Sequence, residues 1–188
     1  MSRILFTLKM AWRYRKKLRH IKRDHTWHAK TLLQVNCHDL QARGCQVLVL
    51  DFDGVMASHG MVEPLHVVLL WLQHAIKIYG ADHIYILSNK PQPLREDFFY
   101  RLDPKIHFIS GVRKKPYPDG LEKIIHRAKV KPLHVVLIDD RLLTGVLAAQ
   151  LVGCQAVWIR EPYRHFMNRF WAESFFTVLR WTECLIIF

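Results

Sequence analysis

Apolar and polar positions divide the chain into a regular alternation. Two uninterrupted apolar runs, Val47-Leu48-Val49-Leu50 and Ile84-Tyr85-Ile86-Leu87, and a third, Val135-Val136-Leu137-Ile138, have the pattern of strands buried on both faces. Strands are predicted near 46–51, 83–87, 106–109, 134–139 and 155–159. Between them apolar residues recur at helical spacing. Glu63 to Tyr79 carries Leu65, Val68, Leu69, Leu72 and Ile76; Pro91 to Leu102 is shorter; Asp119 to Lys129 carries Leu121, Ile124 and Ile125. A fourth helix, Leu142 to Val152, ends at Gly153, a suitable C-terminal residue. Strand and helix in alternation predict an α/β fold: a central parallel sheet with right-handed crossovers and helices on both faces, in three Rossmann-like layers.

The polar residues at the strand ends are not random. The first run stops at Asp51-Phe52-Asp53-Gly54-Val55, the second at Ser88-Asn89, and the third at Asp139-Asp140; Lys114-Lys115-Pro116 lies between the last two. Carboxylates at i and i+2 of an extended backbone point to one side. At the carboxyl edge of an open sheet they lie where such folds bind ligands. Two acids that close repel, and a hard cation such as Mg²⁺ is the usual remedy.

Acids, then a hydroxyl, then a lysine, then acids again, in that order along about 45–160, resembles the four-motif layout of haloacid dehalogenase-like (HAD) phosphatases. The resemblance implies a Mg²⁺-dependent phosphomonoester hydrolase working through an aspartyl-phosphate. Asp51 would be the nucleophile. Asp53 would protonate the leaving oxygen, deprotonate the hydrolytic water and offer its backbone carbonyl to the metal. Gly54, Ser88, Asn89 and Lys115 would bind the phosphoryl group, with Lys115 also offsetting the charge of Asp51. Asp51, Asp53 and Asp140 would hold the metal, with Asp139 the alternative to Asp140. The stretch Val136 to Pro162 is similar to the last motif of the YqeG-type, subclass III members, which include phosphatidylglycerophosphate phosphatases. Their pattern is Gly-Asp, three residues, Thr-Asp. Here Asp139 stands at the Gly, Asp140 at the first Asp, Thr144 at the Thr and Gly145 at the second Asp. The first motif also departs from that group's Asp-x-Asp-Asn-Thr, with Gly54 and Val55 in the last two places.

Only 34 residues separate Asp53 from Ser88, and 26 separate Ser88 from Lys115. Neither interval has room for a large cap domain. An uncapped site encloses a small metabolite poorly and suits a substrate whose bulk stays outside. His59, near Asp51 in sequence, is placed in a loop.

Charge changes the picture at one end. Residues 1–30 hold ten Lys or Arg and one acid, a net +9 of the total +12. Leu8, Trp12, Leu18 and Ile21 fall on one helical side of that segment, cations on the other. Residues 165–188 are rich in aromatics, among them Phe166, Phe170, Trp171, Phe175, Phe176 and Trp181. Neither end is a bilayer span. The expected division is a basic amphipathic arm at 1–30, a phosphatase domain at 31–162 and an aromatic amphipathic helix at 163–188. The ends fit either an anionic membrane surface or packing on the core. No zinc spacing or helix-turn-helix pattern calls for specific nucleic acid. The four cysteines form no C-x-x-C, which favours a reducing cytoplasm, with peripheral attachment to the inner face of a membrane if the ends bind one. Two other functions stay open: a phosphatase for soluble or protein substrates, and a weakly active domain that binds acidic partners.

Overall fold

A computed structural model describes residues 2–164 and 166–187. The side chains of residues 166–173 and of Phe176 lie outside the described part, and with them the aromatic positions Phe166, Phe170 and Trp171. In chain order the elements are α1 (Arg3–Arg23), β1 (His28–Ala29), α2 (Cys37–Ala42), β2 (Val47–Leu50), α3 (His66–Tyr79), β3 (Ile84–Leu87), α4 (Pro93–Leu102), β4 (His107–Ile109), α5 (Asp119–Ala128), β5 (Val135–Asp139), α6 (Leu147–Val152), β6 (Gln155–Ile159) and α7 (Phe166–Ile186). A π-helical turn, Leu142–Val146, runs into α6. The strands form one parallel sheet in the order β1-β6-β5-β2-β3-β4.

Side chains alternate across the sheet and build two cores. Leu48, Leu50, Val136 and Ile138 face α2, α3 and α4 through Leu40, Val68, Leu72 and Phe99. Val47, Val49, Val135 and Leu137 face α1, α5 and α6 through Leu18, Ile21, Leu121, Ile124 and Leu147. Every residue of β2, β3 and β5 is buried, which is why these strands are continuous apolar runs rather than alternating ones. Gly153 ends α6 with φ +79°, the left-handed conformation that glycine adopts without a Cβ penalty.

β1 has no signature in the sequence: it is two residues long and pairs only at the edge, His28 with Trp158 and Ala29 with Ile159, and a period of two is not legible over two residues. Most of the N-terminal basic segment is the single helix α1, capped by Ser2, whose Oγ accepts from the Leu5 amide at 3.4 Å. Ala11, Leu18 and Ile21 are buried in the second core, while Ile4, Leu5, Leu8 and Trp12 stay exposed.

The sheet reverses direction of winding between β2 and β5. From β2 the chain moves outward to β3 and β4, then returns to β5 and β6 on the other side. Such a switch opens a crevice at the carboxyl ends of the strands. The connections after β2 and β3 contain α3 and α4 and no inserted domain.

Candidate active site

Asp51 follows the last residue of β2, and Asp139 ends β5 beside it. Asp140 comes next in the chain. Carboxylate oxygens of Asp51, Asp139 and Asp140, all buried, lie within 4.8 Å of one another. Lys115 enters from the loop between β4 and α5. Its Nζ reaches Asp51 Oδ1 at 2.8 Å, Asp139 Oδ2 at 2.5 Å and the Leu87 carbonyl at 3.0 Å. Asn89 holds the Lys115 main chain: its Oδ1 accepts from the Lys115 amide at 2.6 Å, and its Nδ2 donates to the Lys115 carbonyl at 3.4 Å.

Burial would strip Lys115 of its proton, but the charges of Asp139 and Asp51 reverse that and keep its pKa above the ordinary lysine value. Burial also dominates Asp51. Its pKa is raised well above the carboxylate range; Lys115 opposes the shift, and Asp139, Asp140 and Asp53 add to it. Burial pushes Asp140 up to about 6, against the pull of Arg180.

The Asp53 side chain is outside this cluster. It turns to Arg95, which donates from Nη2 to Oδ1 at 2.8 Å and from Nη1 to Oδ2 at 3.0 Å. The Gly60 amide donates to Oδ1 at 3.1 Å. Burial alone would raise the Asp53 pKa. The Arg95 hydrogen bonds and charge, with the Gly60 amide, outweigh it and hold the carboxyl below its usual value. As a metal ligand Asp53 therefore retains only its backbone carbonyl.

Gly54 and Ser88, the other expected phosphate binders, make hydrogen bonds within the chain. The Gly54 amide donates to the Ala57 carbonyl at 2.7 Å, and its carbonyl accepts from Tyr163. With φ +89°, and with any Cβ at 2.7 Å from Asp140 Oδ2, Gly54 is required by its backbone and by the closeness of Asp140. Ser88 Oγ accepts from the Lys90 amide at 3.1 Å and from Arg95 Nη1 at 3.5 Å. Asp51, Asp53, Asn89, Lys115 and Asp140 line a cavity of about 210 Å³ at the crevice. His59, placed in a loop by the sequence, lines it too, and so do Arg3 of α1, Lys90, Lys114, Arg141 and Thr144.

Several of these contacts were not read from the sequence. Arg95 is fully buried and stacks its guanidinium 3.9 Å over the Phe52 ring. One signal was available: Arg95 lies four residues before Phe99 on the inward stripe of α4. Arg180 of α7 had none. It donates from Nε to Asp140 Oδ2 at 2.6 Å. Glu183, on the same helix, pairs with Arg141 and accepts from the Leu143 amide at 3.3 Å.

Buried carboxylates with raised pKa values and oxygen-only donors fit a hard divalent cation such as Mg²⁺. The residues that would hold it are Asp51 and Asp140, with the Asp53 carbonyl. Asp139 belongs to the same cluster and is the alternative ligand; its Oδ2 accepts from Lys115 and its Oδ1 from the Arg141 amide at 2.9 Å.

The profile of the haloacid dehalogenase-like hydrolases matches residues 9–153. A curated relative, the glyceraldehyde 3-phosphate phosphatase of Pyrococcus furiosus, is 34% identical over 65 residues, 35% of this chain. The match spans about a quarter of that relative, 26% of its length. Two crystal structures are similar in outline. An uncharacterized protein from Corynebacterium glutamicum has 18% identity and a TM-score of 0.47, covering 72% of this chain and 93% of that one. A HAD-superfamily hydrolase of subfamily IA from Geobacter sulfurreducens has 16% identity and a TM-score of 0.40, covering 64% and 94%.

Proposed function

Because the chain belongs to the haloacid dehalogenase-like hydrolases, we propose that it hydrolyses phosphomonoesters through an aspartyl-phosphate on Asp51. The observation that carries this reading is Asp51 at the β2 edge with Lys115 at 2.8 Å, beside Asp140 and open to the cavity. An Asp51 carboxylate oxygen attacks phosphorus, and the ester P–O bond breaks. The leaving alkoxide takes a proton from Asp53. Water, deprotonated by Asp53, then releases phosphate and frees Asp51. The Arg95 pair holds Asp53 in the ionised form that this second step needs. To act as the acid in the first step, Asp53 must exchange part of that grip for a proton. A Mg²⁺ held by Asp51, Asp140 and the Asp53 carbonyl supplies neutralisation of phosphoryl charge.

The test is phosphate release from soluble phosphomonoesters with and without Mg²⁺. Asp51→Asn should lower turnover by at least about a thousandfold, since an amide is no nucleophile. Near-wild-type hydrolysis by that variant rules out the nucleophile.

For the substrate class we favour a phosphate on a membrane lipid, such as phosphatidylglycerophosphate. Among the described residues no helix is long and apolar enough to cross a membrane, so the contact would be interfacial. The support is the outer face of α1: exposed Ile4, Leu5, Leu8 and Trp12, no acid along the helix, and Arg3 at its start lining the catalytic cavity. Exposed Phe175, Val178 and Trp181 on α7 add apolar surface. Docking α1 on an anionic surface would bring a headgroup phosphate to the crevice. Deleting residues 1–30 would not test this cleanly, because truncating buried Leu18 alone costs about 2–5 kcal/mol. The exposed pair Leu8→Ser and Trp12→Ser avoids that cost. We expect the wild type to sediment with anionic liposomes, less so as salt rises, and the pair to weaken sedimentation. Equal sedimentation of wild type and variant removes the α1 surface from the proposal.

A further inference from the structure

A second cavity, of about 280 Å³, touches the catalytic crevice at Asp140, and the two share no other lining residue. Three arginines line it: Arg160 just past β6, Arg164 in the connection that follows, and Arg180 of α7. Both acids of its wall have a basic partner. Asp140 Oδ2 accepts from Arg180 Nε at 2.6 Å, and Glu183 pairs with Arg141. Among the described residues Arg160 and Arg164 form no ion pair. The cavity therefore carries surplus positive charge. Arg180 is only 8% exposed, and its Nη1 is buried with no hydrogen-bonding partner among the described residues. A buried guanidinium donor is rarely left unmet. The wall is also held in place. The Arg160 amide donates to the Ala29 carbonyl and the Tyr163 amide to the Gly54 carbonyl, each at 2.9 Å. Lys22 Nζ ties α7 down at the Cys184 carbonyl, again at 2.9 Å.

We propose that this cavity is a second anion site, separate from the crevice, which takes a doubly charged oxyanion of the phosphate or sulfate type on Arg160, Arg164 and Arg180, and that Arg180 links it to the Mg²⁺ site through Asp140. Guanidinium groups present forked donors that match such oxyanions, and charge-assisted bonds of this kind are the strong ones. The cavity has no acid left over to repel the ligand. Two of the arginines belong to the sheet edge and one to α7, so an anion between them fastens the helix to the sheet. Arg180 has a double role. Its Nε and Nη2 both lie on Asp140 Oδ2, at 2.6 and 2.5 Å, where they compete with a metal ion for the carboxylate. An anion that draws on the guanidinium weakens that competition. Binding of the anion then strengthens binding of Mg²⁺, and by linkage the reverse holds equally.

The experiment is a melt of the full chain against inorganic sulfate, without Mg²⁺ and at constant ionic strength set with chloride. The wild-type melting temperature should rise and saturate. Arg160→Gln/Arg164→Gln should need roughly tenfold more sulfate for the same rise, while Lys114→Gln, on the crevice wall, should match wild type. Sulfate-free vesicles of phosphatidylcholine with phosphatidic acid test a phosphate carried on a lipid. A sulfate response that the arginine pair weakens marks a free oxyanion. Sedimentation that the arginine pair weakens, with no sulfate response, marks a lipid phosphate. Absence of both overturns the site, and so does a sulfate response that the arginine pair loses no more than Lys114→Gln does. Calorimetric titration with Mg²⁺ reads the coupling. The anion that binds, at saturation, should lower the Kd for free Mg²⁺ roughly fivefold or more in the wild type. That effect should vanish in Arg160→Gln/Arg164→Gln and in Arg180→Gln. A Kd that the anion leaves unmoved or raises, or a coupling that persists in Arg180→Gln, overturns the link through Arg180. The coupling arm rests on the Mg²⁺ site at Asp140. If the wild type binds no Mg²⁺ with or without the anion, that reading fails, and the sulfate melt and the vesicles still decide the anion site.

Discussion

Asp51 faces Lys115, Asp139 and Asp140; Asp53, two residues further on, faces Arg95 and the Gly60 amide. The same residue type on one strand end is set to opposite electrostatic states. Burial wins at Asp51, whose single cation is shared with Asp139 and whose neighbours are acids, so its pKa rises. At Asp53 a bidentate guanidinium is directed at one carboxylate, and burial loses. Residues whose surroundings push their pKa values apart are suited to different tasks. The crowded acid calls for an added cation, which fits a nucleophile beside a metal. The compensated one stays ionised, as a base should.

The largest effect should come from removing the cation on the crowded side. Lys115→Met leaves Asp51 and Asp139 facing each other without a counter-charge in a buried site. Loss of one partner from such a pair costs about 3–5 kcal/mol, read from denaturant unfolding. A loss under about 1 kcal/mol would mean that Lys115 does not hold the two acids together.

Arg95→Met is the matching cut on the other side, and its effect should be smaller, about 3 kcal/mol, because one acid rather than two is left uncompensated. The pH dependence separates the two sides further. In the wild type the folded Asp53 pKa lies below its unfolded value. The stability it contributes is present above about pH 4 and lost as pH falls through the folded value. Without Arg95, burial is left to raise the folded pKa. Stability then falls as pH rises from about 4 through that raised value. Melting temperature against pH from 3 to 7 reads the sign. Parallel curves for wild type and Arg95→Met would show that Arg95 does not set the Asp53 charge.

Mg²⁺ sharpens the comparison in the opposite direction, by supplying what the crowded side lacks. A ligand bound only to the folded chain adds ~2.7 kcal/mol at a hundredfold excess over its Kd. The melting temperature should therefore rise with Mg²⁺ in the wild type and in Arg95→Met. In Asp140→Ala most of that response should vanish. An unchanged midpoint in the wild type at millimolar Mg²⁺ would count against the metal site.

Legible in the residues alone were the apolar strand cores, the helices α3, α4, α5 and α6, and the order of Asp51, Asp53, Ser88, Asn89, Lys115, Asp139 and Asp140 at strand ends and turns. Those signals are local: burial on both faces makes a strand a continuous apolar run, and a strand that stops at an acid presents it at the sheet edge. Tertiary structure alone decided which charge meets which. Arg95 reaches Asp53 and Arg180 reaches Asp140 across spans of more than forty and of forty residues, and no periodicity records where two distant elements land. It also decided which face of α1 goes inward. Ala11, Leu18 and Ile21 are buried while Leu8 and Trp12 are not, although Leu8, Trp12, Leu18 and Ile21 read as one amphipathic side. Gly145 shows the same limit. A glycine in a helical turn looks like a weakness until the Asp139 side chain is found in the space that any larger residue would need. Close packing makes that a property of two positions together, and neither position states it alone.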